Sequence, residues 1–293
     1  MTLLRERPAV SSPSAPARAP RRSYAVFPVH LAMLAWAVVT ALPLIWAVVS
    51  SFKTDTEILN EPWSLPASPQ PGNWARAWTE ASIGRYFLNS LIVVGGALLL
   101  TMLLGSLVAY ALARYEFRGN RLIYYTFVAA MFFPVFLALV PLFFVVQQLG
   151  LLGTYQGLIL VYAAYAVPFT VFFLHSFFRT LPSEIAEAAF LDGCSHGAVF
   201  FRVMLPLAGP VTATVVVLTF LTTWNAFFLP LVFTFSRPDL RTLSVGMQAF
   251  VGENSVDWPG MAAAATLSLL PIVALFLFLQ RYFFEGIAGA VKS

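Results

Sequence analysis

The chain has 293 residues, of which 59% are hydrophobic and only 10% charged, with a formal net charge of +4. A soluble domain carries about 25% charged residues, so this composition excludes intrinsic disorder, a collagen-like chain and an ordinary cytosolic enzyme, and leaves a polytopic membrane protein, whose helix-length apolar stretches make it an all-α membrane protein. The single cysteine, Cys194, excludes an intrachain disulfide and a cysteine metal cage, and so small a net charge gives no argument for nucleic acid.

Residues 1–23 come first in the chain. Arg5, Arg7, Arg18, Arg21 and Arg22 stand there among Pro, Ser and Ala. That mixture cannot bury a core, and it reads as a flexible basic cytosolic tail. Residues 24–284 read as a transmembrane domain, and 285–293 as a short cytosolic C-terminal tail. A bilayer core about 30 Å thick needs about 20 apolar residues in a helix. Six stretches meet that length: 26–50, 87–112, 122–146, 156–178, 207–233 and 261–279. The first is too long for a signal peptide and holds Trp36, Pro43 and Trp46, so it is expected to be retained. With the N-terminus inside, the inner segments hold twelve Lys/Arg and the outer segments five. This is the positive-inside pattern, with both termini cytosolic.

The two long outer segments are 51–86, with four prolines and three tryptophans, and 234–260, with Arg237, Asp239, Arg241, Glu253, Asp257 and Trp258. They suit either interfacial loops with an aromatic belt or a docking surface for an extracytoplasmic partner. No Asp, Glu, Lys or Arg falls inside the six spans, which argues against proton-coupled transport or voltage sensing. Pro134, Pro141, Pro168 and Pro271 are expected to bend their spans. His30 and His175, near span ends, read as packing residues. No metal-ligand cluster and no nucleophile elbow is visible. Lys53 follows Phe52 and Lys292 follows Val291, so neither lysine belongs to a phosphate-binding loop. The chain is expected not to be an enzyme, and any energy for active transport must come from another chain.

The segment between the fourth and fifth spans, 181–206, carries the strongest signal. Ser183 is expected to cap a helix with Glu184 and Glu187 in its first turn, where the dipole favours anions. Ala186, Ala188 and Ala189 favour the helix, and Asp192–Gly193 ends it, with Gly193 left-handed. Ser195 can cap a second short helix, and Pro206 marks the approach to the fifth span. Cys194 reads as packing. On physical grounds this helix–turn–helix is either a partner-docking element or an amphipathic connector in the headgroups.

Glu187-Ala188-Ala189, three residues, Gly193, nine residues, then Val203-Met204-Leu205-Pro206 resembles the EAA loop of bacterial ABC importer permeases of the binding-protein-dependent, MetI-like family. Val203 replaces the usual Ile. The likeness extends over most of the chain, with a MetI-like core at about 84–282, and is closest to the carbohydrate-uptake, MalG-like branch. Phe87-Leu88-Asn89-Ser90, Trp224-Asn225 and Gln280-Arg281-Tyr282-Phe283 share in it.

The resemblance implies a multi-pass permease subunit of the bacterial plasma membrane. Its coupling helix (Glu184, Glu187, Ala188, Ala189, Asp192, Gly193, with Leu205 and Pro206) would sit on a cytosolic ATPase dimer that binds ATP and Mg. A second, different permease chain and an extracytoplasmic solute-binding protein would complete the importer. This chain itself would carry no cofactor. Polar residues within a span face the bundle or a cavity, which makes Thr222, Thr223 and Asn225 candidates for the solute route, with Trp224 and Phe228 as aromatic platforms. An uncharged route suits a sugar or oligosaccharide. A permease for glycerol phosphate or a polyol, or an ATP-independent facilitator, are the alternatives.

Overall fold

The computed structural model describes the backbone of residues 26–252 and 255–291, and the side chains of 27–252 and 255–282. Glu253 and Asn254 and the basic segment 1–23 lie outside the described residues. The chain divides into two units, residues 1–44 and 45–293. In the first, helix α1 (Val26–Ser50) begins, apolar and without a buried residue in its apolar window. Thr40 is satisfied within it, its hydroxyl donating to the Trp36 carbonyl at 2.8 Å.

The second unit is all-helical among its described residues. Two short helices, α2 (Asp55–Asn60) and α3 (Gly72–Thr79), precede the long α4 (Ile83–Arg114). Helices α5 (Asn120–Met131), α6 (Val135–Gln148) and α7 (Tyr155–Thr180) follow. Then come α8 (Ser183–Leu191), α9 (His196–Val199), a π-turn over Phe200–Met204 and α10 (Leu205–Leu207). The chain ends with α11 (Gly209–Trp224), α12 (Phe228–Phe233), α13 (Leu243–Gly246) and α14 (Trp258–Val291).

The frame is the α4–α7 pair. Lipid is as apolar as leucine, so helices in a membrane associate through close packing and small residues rather than by escaping water. Gly105 shows this: a Cβ there would lie 2.6 Å from Thr170 Cγ2, so only glycine admits α7 so near. Three buried clusters extend from this frame. One joins Ile83, Val94, Phe220, Trp224, Leu243 and Ala263. A second joins Val93, Val146, Leu158, Val161, Leu229 and Phe233. The third, at the Arg114 end of α4, joins Tyr110, Leu174, Phe178, Val199, Phe200 and Met204.

Among the described residues, four helices are long and apolar enough to cross a membrane, and two bent pairs bring the candidates to as many as six. The expected third span is broken: α5 and α6 meet at 105°. Pro134 stands at the N-cap of α6, without an amide to donate, and disfavours helical geometry at Phe133. The expected fifth span is also interrupted. It starts after a 78° bend at Ala208, stops at Trp224 and resumes at Phe228. Pro141, Pro168 and Pro271 do not break their helices; each sits inside a continuous one. The last helix runs on to Val291, through most of the segment expected as a tail.

Candidate functional site

The helix–turn–helix is built onto the end of α4 and α7. Leu181 leaves α7 extended, as a residue before proline must, and Pro182 takes the N-cap of α8. Ser183 is therefore already inside the first turn and makes no cap hydrogen bond, contrary to expectation. Arg114 holds this corner, its Nη2 donating to the Leu181 carbonyl at 2.9 Å.

At the other end of α8, Gly193 adopts φ +84°. The Gly193 amide donates to the Phe190 carbonyl and the Cys194 amide to the Ala189 carbonyl, each at 3.0 Å. These two bonds make a Schellman turn and satisfy carbonyls that the helix end would otherwise orphan. The Ser195 hydroxyl then accepts the Ala198 amide at 3.3 Å and starts α9. The Tyr115 hydroxyl meets His196 Nδ1 at 3.0 Å, a second tie from the end of α4.

One face of this element is glued down. Ala189, Val199, Phe200 and Met204 are buried, and Tyr110 packs its ring 5.5 Å from Phe178 and 5.2 Å from Phe200. The opposite face is open: Glu184, Glu187, Ala188, Asp192 and Gly193 are exposed, and Leu191 is 89% exposed. Among the described residues, none of these three carboxylates is in an ion pair. Leu205 is half-buried and Pro206 exposed. The arrangement is a small, acidic, outward-facing ridge on a rigid base.

The polar residues of α11 divide. Thr222 and Thr223 line a pocket of about 260 Å³ together with Met131, Tyr165, Phe169 and Leu218. Thr222 is exposed, its hydroxyl donating to the Leu218 carbonyl of its own helix at 3.0 Å. Trp224, expected as an aromatic platform, is turned into the bundle in this structure. It is 2% exposed, stacked 5.3 Å from Phe220, and donates its indole N–H to the Ser268 carbonyl at 3.2 Å. Asn225 is exposed at the break after α11 and donates to the Leu221 carbonyl at 2.9 Å. Phe228 is exposed and meets Phe136 edge-on at 5.9 Å, so the two helix interruptions lie beside each other. The pocket's aromatic wall, Tyr165 and Phe169, was not expected. Their spacing of four about Pro168 is the signal that would have found them.

Side chains at the opposite end fix the long segments there. Asn89 donates to the carbonyls of Asp239 and Arg241, both at 2.9 Å, and accepts the Tyr155 hydroxyl at 2.6 Å. Ser90 accepts the Leu243 amide at 2.7 Å. Lys53 is not a surface cation but is fully buried. Its ammonium donates to the carbonyls of Glu61 at 2.8 Å and Pro62 at 3.3 Å, against the C-terminal end of α2. Arg76 bridges both oxygens of Asp257, at 2.9 and 3.2 Å.

An apolar helical frame with paired helix breaks at mid-length and a docked helix–turn–helix at one end has the build of an importer permease. The crystal structure of a bacterial ABC transporter involved in the import of the acidic polysaccharide alginate contains a chain of the same fold. It matches at TM-score 0.77 and 20% identity, over 91% of this chain and 100% of that one. Residues 73–288 match the model of the binding-protein-dependent transport system inner membrane component, and the chain belongs to that family of ABC permeases. It is a multi-pass protein of the inner membrane, in a family of transport components rather than enzymes. The diacetylchitobiose uptake system permease protein NgcG of Streptomyces coelicolor is 47% identical, over 90% of this chain and 86% of its own. The melibiose/raffinose/stachyose import permease protein MelC of Bacillus subtilis is 37% identical, over 79% and 84%.

Proposed function

We propose that this chain is one membrane-spanning half of an ATP-driven importer for a sugar or oligosaccharide. It crosses the membrane six times, with both termini cytosolic. The orientation is supported by the excess of Lys/Arg in the segments assigned to the inside. The α8–α10 element then faces the cytosol, where its open ridge docks on an ATPase subunit that binds ATP and Mg. Closure of the ATPase pair rocks this chain against a second, different permease chain, and an extracytoplasmic binding protein delivers the solute to the outward-open state.

The observation that carries this reading is the two-faced α8. Ala189 is locked against Tyr110 and Phe178 while Glu184, Glu187, Ala188, Leu191 and Gly193 are left bare. A connector lying in headgroups has no need of a base held by Arg114 and Tyr115. A sugar is favoured by the uncharged pocket, in which Thr222 and Thr223 face Tyr165 and Phe169, and by the uptake named for NgcG and MelC.

The test is purification of the tagged full chain in mild detergent, with identification of the chains that accompany it. A second permease and an ATPase, with hydrolysis stimulated by a sugar-loaded binding protein, is the expected result. A solitary chain that conducts solute without ATP would refute it. A binding protein that prefers glycerol phosphate or a polyol would overturn the sugar assignment alone.

A further inference from the structure

A second cavity, of about 520 Å³, lies apart from the α11 pocket, where α4 ends, α5 begins and α7 ends. Because α4 and α7, both long and apolar enough to cross a membrane, end beside it and the short α5 begins there, it falls at the boundary between hydrocarbon and water. Its lining includes Arg121 and Arg179, both exposed, and the exposed Glu116. Among the described residues neither guanidinium is in an ion pair.

His175 forms the inner wall. It is 6% exposed and lies against Tyr124, the rings stacked at 4.0 Å and 28°. Its Nδ1 is buried with no hydrogen-bond partner. A buried N–H without an acceptor is the costlier orphan, so the proton belongs on Nε2, leaving Nε2–H as the ring's donor toward the cavity it lines.

We infer that this cavity binds the phosphate diester of an anionic phospholipid headgroup. Two guanidiniums and an imidazole N–H are donors of the kind that recognise phosphate oxygens. The lining charge, two arginines against Glu116, is that of a single cation, which matches a singly charged diester better than a doubly charged free phosphate. Leu122 and Tyr125, 73% and 63% exposed beside Arg121, give the acyl chains an apolar surface to lie on. A soluble ion has no use for that surface. Basic cavities between membrane helices near the headgroups hold lipid phosphates in this way. The inference relies on the importer reading only for the leaflet, which is the inner one.

The experiment uses the full chain, stripped of lipid in detergent. Retention of phosphatidylglycerol and of phosphatidylcholine with the same acyl chains is measured by native mass spectrometry. Phosphatidylglycerol is expected to be retained preferentially. Arg121→Gln and Arg179→Gln should each lower its retention about five-fold, the weight of one basic residue near an anionic surface. Arg121→Lys and Arg179→Lys should restore most of it, which separates the effect from misfolding. Arg118→Gln, a neighbouring arginine outside the lining, should change nothing. Equal retention of the two lipids, or an equal loss in Arg118→Gln, would overturn the inference. Displacement by an excess of inorganic phosphate would reassign the cavity to a free anion and overturn the lipid. No transport is measured, so failure here leaves the importer reading intact, and failure of that reading changes only the leaflet.

Discussion

Replacing Gly193 isolates backbone conformation from packing. At φ +84°, a Cβ added to Gly193 meets no atom within 4 Å, so no clash opposes a larger side chain within this chain. What opposes it is the left-handed conformation, which costs an L-residue about 1–2 kcal/mol and a β-branched one at least that. On that scale the Schellman turn is disfavoured by a factor of about 5–30. The amides of Gly193 and Cys194 would then leave the carbonyls of Phe190 and Ala189, and the ridge would lose its register against α9. Asparagine tolerates this region where valine and alanine do not. Gly193→Asn is therefore expected to retain most uptake, whereas Gly193→Ala and Gly193→Val lose it at normal membrane insertion. The assay is solute uptake and ATP hydrolysis per assembled complex. Normal uptake in a well-inserted Gly193→Val variant would refute the argument. So would a ranking by side-chain volume, with alanine harmless and asparagine damaging, because it would make the position a contact rather than a hinge.

Other consequences are open to measurement. Asn89→Ala leaves the half-buried Tyr155 hydroxyl and two carbonyls without that partner, and at up to about 1–3 kcal/mol per orphaned group it should lower the melting temperature of the purified chain clearly. An unchanged melting curve would remove Asn89 as the anchor of the 239–241 segment. Asp257 both pairs with Arg76 and accepts the Gly260 amide at 2.9 Å in the first turn of α14. Asp257→Ala should therefore cost about 1 kcal/mol more than Arg76→Ala, the weight of a lost cap, and equal costs would show that the cap contributes nothing.

Glu57 is held below the ordinary carboxylate range, first by the Thr54 amide and then by the Ala67 amide. With the folded value depressed, its contribution is present above the ordinary range and lost as pH falls through the lowered folded value. Hydrogen-exchange protection over residues 54–67, taken relative to the intrinsic exchange rate at each pH, should fall in that acid window for the native chain. In Glu57→Gln the same segment should show no such pH dependence.

Much of the frame was legible because membrane insertion is a one-dimensional constraint. Length and apolarity along the chain are enough to mark α1, α4, α7 and α14. The turn at Gly193 and the Ser195 cap were legible for a similar reason, since each depends on a residue and its nearest neighbours. The Ser183 cap failed because Pro182 and the exit from α7 claimed the position first. The burial of Trp224 against Phe220 was not legible because an aromatic at a span end looks the same from the sequence whether it faces a route or a neighbouring helix.

Local chemistry and hydropathy therefore determined which segments enter the membrane, the open acidic ridge of α8 and its left-handed stop. Only the tertiary structure decided that α5 and α6 meet at 105°, that Phe136 and Phe228 bring two helix breaks together, and that Thr222 and Thr223 share a pocket with Tyr165 and Phe169. It also decided that Lys53 is buried under backbone carbonyls and that Arg121 and Arg179 line one cavity with His175. The reason is physical. Hydropathy acts residue by residue along a chain, whereas a pocket or a buried cation is specified by groups brought together from helices far apart in sequence.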